Sequence, residues 1–189
     1  MKMGSGIGET IDVLLKIGFI KKCKGGFEGV GSLIFLKNID NYSPESAIDS
    51  FKQAAQRADM FCILMKTKYS SDRIISAEGT LSEVDESTFK SIEDKENLKY
   101  FTFNVNQIEE DSYDSFTWLT QHENYTWAMD IEKINHEYEF IYKFVIEYFK
   151  VHVDDYLWFD DADWYYNADD ILKLSQMPYD PRWCSEKIV

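Results

Sequence analysis

Residues 125–159 read YTWAMDIEKINHEYEFIYKFVIEYFKVHVDDYLWF, and the change of period inside this stretch decides the fold class. Tyr125, Trp127, Met129 and Ile131 recur every second residue, the spacing that puts side chains on one face of a strand. From Asn135, a capping side chain, the apolar residues Tyr138, Ile141, Phe144, Val145 and Tyr148 recur at three and four, as one face of a helix over 136–150 does. Glu139 stands four residues before Lys143 on another face, a favourable but small contribution of about 0.2–0.5 kcal/mol. Aromatic burial therefore has to hold this helix. Tyr156–Phe159 then reads as a short strand, and Ala168–Leu174 as a last helix capped by Asn167. Pro178 and Pro181 mark an irregular tail.

The same grammar extends upstream. Ser43-Pro44-Glu45 opens a helix with a capping hydroxyl, a proline at the first helical position and an acid near the positive end of the helix dipole. Ala47, Ile48, Phe51, Ala54, Ala55 and Ala58 line one side of it to residue 58. Val30–Lys37 reads as a strand, forming a hairpin through Gly25-Gly26 with an extended Phe19–Lys24. Before that hairpin, Thr10 caps a short helix that Gly18 ends. Met60–Lys66 is continuously apolar and of strand length, the pattern of a central strand buried on both faces. Ser70-Ser71-Asp72 turns it into Arg73–Thr80. The polar segment Glu83–Lys99 has room for one short helix. Phe101, Phe103 and Val105, then Phe116 and Trp118, then the row from Tyr125 form a three-strand meander, its second and third strands connected by His122-Glu123-Asn124.

The expected architecture is a single compact α+β domain over residues 1–189, with a mainly antiparallel sheet covered by the helices at 44–58 and 136–150. At an offset of 93 residues, Ile34, Leu36, Ala47, Ile48, Phe51 and Ala55 fall on Trp127, Met129, Phe140, Ile141, Phe144 and Tyr148. That is the trace a weak β-α-β duplication would leave, although any two strand-helix units can be slid into partial agreement.

Of the 189 residues, 44% are apolar and 16% aromatic, enough for a sizeable core and unlike a disordered chain. The apolar run Met60–Met65 is too short to span a bilayer. Lys plus Arg number 20 against 34 acids, a net charge of -14. The charge is uneven: residues 1–37 carry six lysines against three acids, whereas residues 110–189 carry six basic groups against eighteen acids. A field of this sign repels nucleic-acid phosphate and anionic lipid and attracts basic proteins. Acidity also serves solubility alone.

Cys23, Cys62 and Cys184 are widely spaced, which suggests reduced thiols in a cytoplasm rather than a disulfide framework or a thiolate metal site. Asp12 and Lys16 interrupt the apolar stretch Ile11–Ile20, so a signal peptide is not expected. Gly4, Gly6 and Gly8 lack the preceding strand and the completing residues of a phosphate loop. The aspartates from Asp154 to Asp170 offer oxygen ligands, but an EF-hand register from Asp161 puts Tyr166 where glycine is needed and Leu172 where glutamate is needed. His122, His136 and His152 have no two-histidine metal spacing, and no nucleophile signature is present. No cofactor, metal or catalytic residue is assigned.

What remains is density. Twenty of the 30 aromatic residues lie between Tyr100 and Tyr166. Around Asp154 and Asp155, the run Trp158, Phe159, Asp160, Asp161, Ala162, Asp163, Trp164, Tyr165, Tyr166 interleaves five aromatics with three carboxylates. Carboxylates pair with Lys and Arg, and aromatics supply rigid anchor area and cation–π contact. Asp154, Asp155, Trp158, Asp160, Asp161, Asp163, Trp164, Tyr165 and Tyr166 are therefore the candidate partner-binding residues. The bland alternative makes the tryptophans and Phe159 core and the aspartates a solvated rim.

The expectation is a non-enzymatic acidic module that blocks or sequesters a basic partner protein, as immunity proteins cover the basic cleft of a nuclease toxin. That is an analogy of charge and composition, not a family resemblance. The alternatives are a metal-assisted hydrolase or transferase using the C-terminal aspartates, and a structural or small-molecule-binding domain.

Overall fold

A computed structural model describes residues 32–108, 124–132, 138–159 and 162–189. Its elements, in chain order, are β1 (Leu33–Asn38), α1 (Pro44–Arg57), β2 (Phe61–Ser70), β3 (Arg73–Ser82), α2 (Glu86–Ser91), β4 (Tyr100–Asn106), β5 (Tyr125–Glu132), α3 (Tyr138–Phe149), β6 (Tyr156–Phe159), β7 (Tyr165–Tyr166) and α4 (Ala168–Ser175). The seven strands form one sheet in the order β2-β3-β4-β5-β1-β6-β7, antiparallel at every neighbour, so the class is α+β.

Strand direction alternates across an antiparallel sheet. The strands joined by α1, β1 and β2, therefore point the same way, as do β5 and β6, joined by α3. Each is a split β-α-β unit. The second is split by β1 itself, and the first by β5 together with β3 and β4. Thus β1 is the strand on which the two units interlock. Both its flanks are taken over Leu33–Leu36, by β5 and β6, and the extended segment 19–24 of the expected hairpin lies outside the described residues. The helix expected over 10–18, the strand at 116–118 and the cap Asn135 lie outside the described residues.

Local chemistry accounts for the helix starts. Ser43 Oγ accepts from the Ser46 N–H (3.1 Å) while Ser46 Oγ accepts from the Ser43 N–H (3.2 Å), a reciprocal cap ahead of Pro44. Asn167 and Asp170 repeat the device at α4. Asp85 caps α2 through the Thr88 N–H. The inner stripes of α1 and α3 meet over one face of the sheet: Phe51 lies 5.4 Å from Phe35 on β1, 4.9 Å from Phe103 on β4 and 5.2 Å from Phe144 on α3, between ring centroids. All three contacts are edge-to-face, the arrangement favoured by the ring quadrupole.

Three strand assignments need correction. Among the described strands β2 lies at the edge, not in the centre: Phe61, Met65 and Tyr69 are exposed. Its bulge at Met65, which has no register partner between Leu64↔Gly79 and Lys66↔Glu78, and its Lys66 and Lys68 are features that discourage edge-to-edge pairing. Next, β4 and β5 are direct neighbours (Phe103↔Ile131, Val105↔Met129), not the first and third strands of a meander. Finally, the row on β5 is split. Phe35 pairs with Met129 and Leu36 with Trp127, which leaves Ala128 as an extra residue. A one-residue bulge reverses the facing of everything beyond it. Met129 and Ile131 join the core under the helices, while Tyr125 and Trp127 join Ile34, Leu36 and Trp158 on the opposite face. The bulge also breaks the 93-residue match at Leu36 and Met129, which lie on opposite faces.

The tail is not irregular throughout. Pro181–Cys184 forms a 3-10 turn that buries Trp183 against Tyr142 and Phe159.

Close packing of the sheet requires one glycine. A Cβ on Gly79 would stand 2.3 Å from Phe103 Cζ and 2.9 Å from the Ile63 carbonyl oxygen. Gly79→Ala should therefore cost about 1–3 kcal/mol in chemical denaturation. An unchanged midpoint would mean that Phe103 does not lie over β3.

Candidate functional site

The expected binding segment is divided by strand alternation. On β6, Leu157 and Phe159 point to the helix-side core, and Tyr156 and Trp158 to the opposite face. On β7, Tyr166 pairs with Leu157 and Tyr165 with Trp158. Tyr166 is fully buried, with its hydroxyl in reach of the Trp183 (3.0 Å) and Glu186 (3.1 Å) carbonyl oxygens. Trp164 is half-buried against Phe159 (4.9 Å) and Tyr166 (5.1 Å). Trp164→Ala should accordingly lower the melting temperature, and a melt equal to wild type would take the indole out of this packing. Trp158 is buried, and its indole N–H donates to the Ala162 carbonyl (2.9 Å), closing the turn between β6 and β7. Asp154 and Asp163 are exposed, and Asp160 and Asp161 lie outside the described residues.

Asp155 is not a surface carboxylate. It is buried, and its Oδ2 accepts from Lys37 Nζ at the end of β1 (2.7 Å) and from the Tyr148 hydroxyl on α3 (2.7 Å). Lys37 Nζ also donates to Tyr148 Oη (3.2 Å). Burial and the adjacent carboxylate hold the Tyr148 hydroxyl well above its usual range. The His152 ring packs 4.5 Å from that of Tyr148, and its pKa is lowered by burial and by the Lys37 charge. This knot ties β1, α3 and the approach to β6 together, and it leaves the neighbouring Asp154 facing solvent. Lys37 and Asp155 are 118 residues apart, so no local pattern announces the pair.

A second buried carboxylate went unread in the sequence. Pairing across the sheet lines up Lys66, Glu78, Asn104, Asp130, Ile34, Trp158 and Tyr165, one residue from each strand. Asp130 accepts from Asn104 Nδ2 (2.9 Å) and from Trp127 Nε1 (3.2 Å). Burial pushes its carboxyl from 3.8 up to about 6, against the lowering effect of those two bonds. Since the folded chain holds this proton more tightly than the unfolded one, the group favours folding most below about pH 4. That contribution is lost as pH rises through about 6, a change on the order of 3 kcal/mol. Asp130→Asn should therefore gain stability relative to wild type between about pH 4 and pH 7.5. A variant-to-wild-type difference independent of pH would contradict this.

The half-buried aromatics opposite the helices form a line. Ring centroids of Tyr125 and Tyr156 are 5.0 Å apart, and those of Tyr156 and Tyr165 are 5.1 Å apart. The Tyr125 hydroxyl donates to the Asp154 carbonyl (2.8 Å). The line thus crosses from β5 over β1 to β6 and β7, with Asp154 near one end and Asp163 leading into the other. Tyr125 and Tyr156 both have raised pKa values, from burial first and then from neighbouring acidic groups and tyrosines. Tyr125 and Tyr156 therefore remain neutral donors at physiological pH.

Among the described residues, no group of three His, Cys, Asp or Glu side chains could hold a metal ion. Burial pushes the thiols of Cys62 and Cys184 up to about 12 and 11, which suppresses the nucleophilic thiolate. No helix among the described residues is long and apolar enough to cross a membrane. No family model, curated protein or solved structure matches the chain.

Proposed function

We propose that this chain is a non-enzymatic, cytoplasmic, acidic protein-binding module that blocks or sequesters a basic partner protein, in the physical manner of an immunity protein. The observation that supports this most is the Tyr125–Tyr156–Tyr165 line beside the exposed carboxylates Asp154 and Asp163, in a chain of net charge -14. Tyrosine supplies a large rigid contact area and a hydroxyl donor, and carboxylates steer and pair a basic surface. Asp155, Trp164 and Tyr166 then serve the site from behind, by fixing β6 and β7.

The metal-assisted alternative has less support. Asp155 is committed to Lys37, and Asp170 to the α4 cap and to Lys173 and Lys187.

The test is recovery of the tagged protein from its native cell at low salt. A protein of basic isoelectric point should come with wild type and be lost from Tyr165→Ala, at a temperature where circular dichroism shows the variant still folded. An acidic partner, or a basic one retained equally by Tyr165→Ala, would overturn the reading.

A further inference from the structure

Tyr165 already carries a cation. Lys187 Nζ lies 5.4 Å from the Tyr165 ring centroid and 3.4 Å from Asp170 Oδ2, and its side chain is about one-third exposed. The backbone on either side is held in place: Tyr166 Oη is 3.1 Å from the Glu186 carbonyl oxygen and 3.4 Å from the Ile188 N–H that donates to it. An ammonium over a tyrosine ring and beside a carboxylate is the contact that a basic partner's lysine or arginine would make at this position.

We propose that the segment Glu186–Ile188 is an internal occupant of the binding face, with Lys187 filling the cation position until a basic side chain of the partner displaces it. This rests on the protein-binding reading and adds a regulatory element to the same site. The occupant competes with the partner and so lowers apparent affinity, because the competent state is populated only when Lys187 has left Tyr165. It also makes that position selective for cations, since only a charge that replaces the ammonium restores both the ring and the carboxylate contact.

A charge-matched control is built into the structure. Lys173 pairs with the same Asp170, at 3.7 Å from Oδ1, from the exposed side of α4. The experiment titrates a nona-arginine peptide into wild type, Lys187→Gln and Lys173→Gln by calorimetry at low salt. Both variants add the same net negative charge, so a general field effect moves them equally. Lys187→Gln should bind about threefold more tightly than Lys173→Gln, the scale of one exposed cation–π contact. Placing Tyr165→Leu in both backgrounds should erase the difference. Measurable binding that is equal in the two lysine variants would overturn the internal occupant while sparing the parent reading. No binding by any of the proteins would overturn both.

Discussion

Phe144→Ala should lower the free energy of unfolding by about 3–5 kcal/mol. Phe144 is fully buried on the inner stripe of α3, with ring centroids of Phe51, Phe101, Tyr148 and Phe35 at 5.2, 5.7, 6.1 and 6.4 Å. Those neighbours belong to α1, β4, α3 and β1, so a cavity here loosens both split β-α-β units at once. Its walls are rings whose edge-to-face packing leaves little freedom to collapse, which places the loss toward the upper part of the range. Phe144→Leu retains most of the volume and should cost markedly less. Denaturant unfolding measures both, and a loss under about 1 kcal/mol for the alanine variant would remove α3 from the core.

Asp155→Ala should be as severe, by a different route. Removing the carboxylate leaves the largely buried Lys37 ammonium, its side chain 12% exposed, with the Tyr148 hydroxyl as its remaining hydrogen-bond partner among the described residues, and breaking a buried pair from one side costs about 3–5 kcal/mol. Replacing both partners, as Lys37→Met with Asp155→Leu, removes the stranded charge and should recover much of that loss. A double variant as unstable as the sum of its single changes would show that Lys37 and Asp155 do not act as a pair. The adjacent Asp154→Asn should leave the melt nearly unchanged, because an exposed carboxylate contributes little to stability. Neighbouring aspartates thus separate a structural role from a surface one.

The elements with complete local grammar were legible in the sequence. Ser43-Pro44 and Asn167 announce their helices through caps, and Phe51 and Phe144 declare inner faces through spacing alone. β4 was equally plain, because Phe101, Phe103 and Val105 keep strict alternation with no bulge.

Order within the sheet was not legible, and the reason is physical. Met60–Met65 is apolar enough for a central strand, but the crossover through α1 delivers it to the far edge, where β3 is its one partner among the described strands. The bulge at Ala128 was hidden because alanine suits either face of a strand. It reverses Tyr125 and Trp127, and without that reversal the tyrosine line would not exist. The candidate site was half legible: the acidic aromatic density pointed to β6 and β7. Alternation then sent Trp164 and Tyr166 to the core and brought in Tyr125 and Tyr156 from other parts of the chain.

On the proposed reading this one face, and not the acidity of the chain as a whole, receives a basic partner. Stopped-flow association of the nona-arginine peptide, measured across a range of salt concentrations, tests it through two variants of equal charge. One carries Asp154→Asn, Asp163→Asn and Asp169→Asn, all exposed positions around β6, β7 and the start of α4. The other carries Glu93→Gln, Asp94→Asn and Glu96→Gln, exposed positions in the loop between α2 and β4. Steering acts through a field screened within about 8 Å at physiological salt, so charges beside the site should dominate the encounter. The first variant should associate several-fold more slowly than wild type with a flatter salt dependence, while the second stays close to wild type. Equal slowing of the two, or no slowing of the first, would contradict the account.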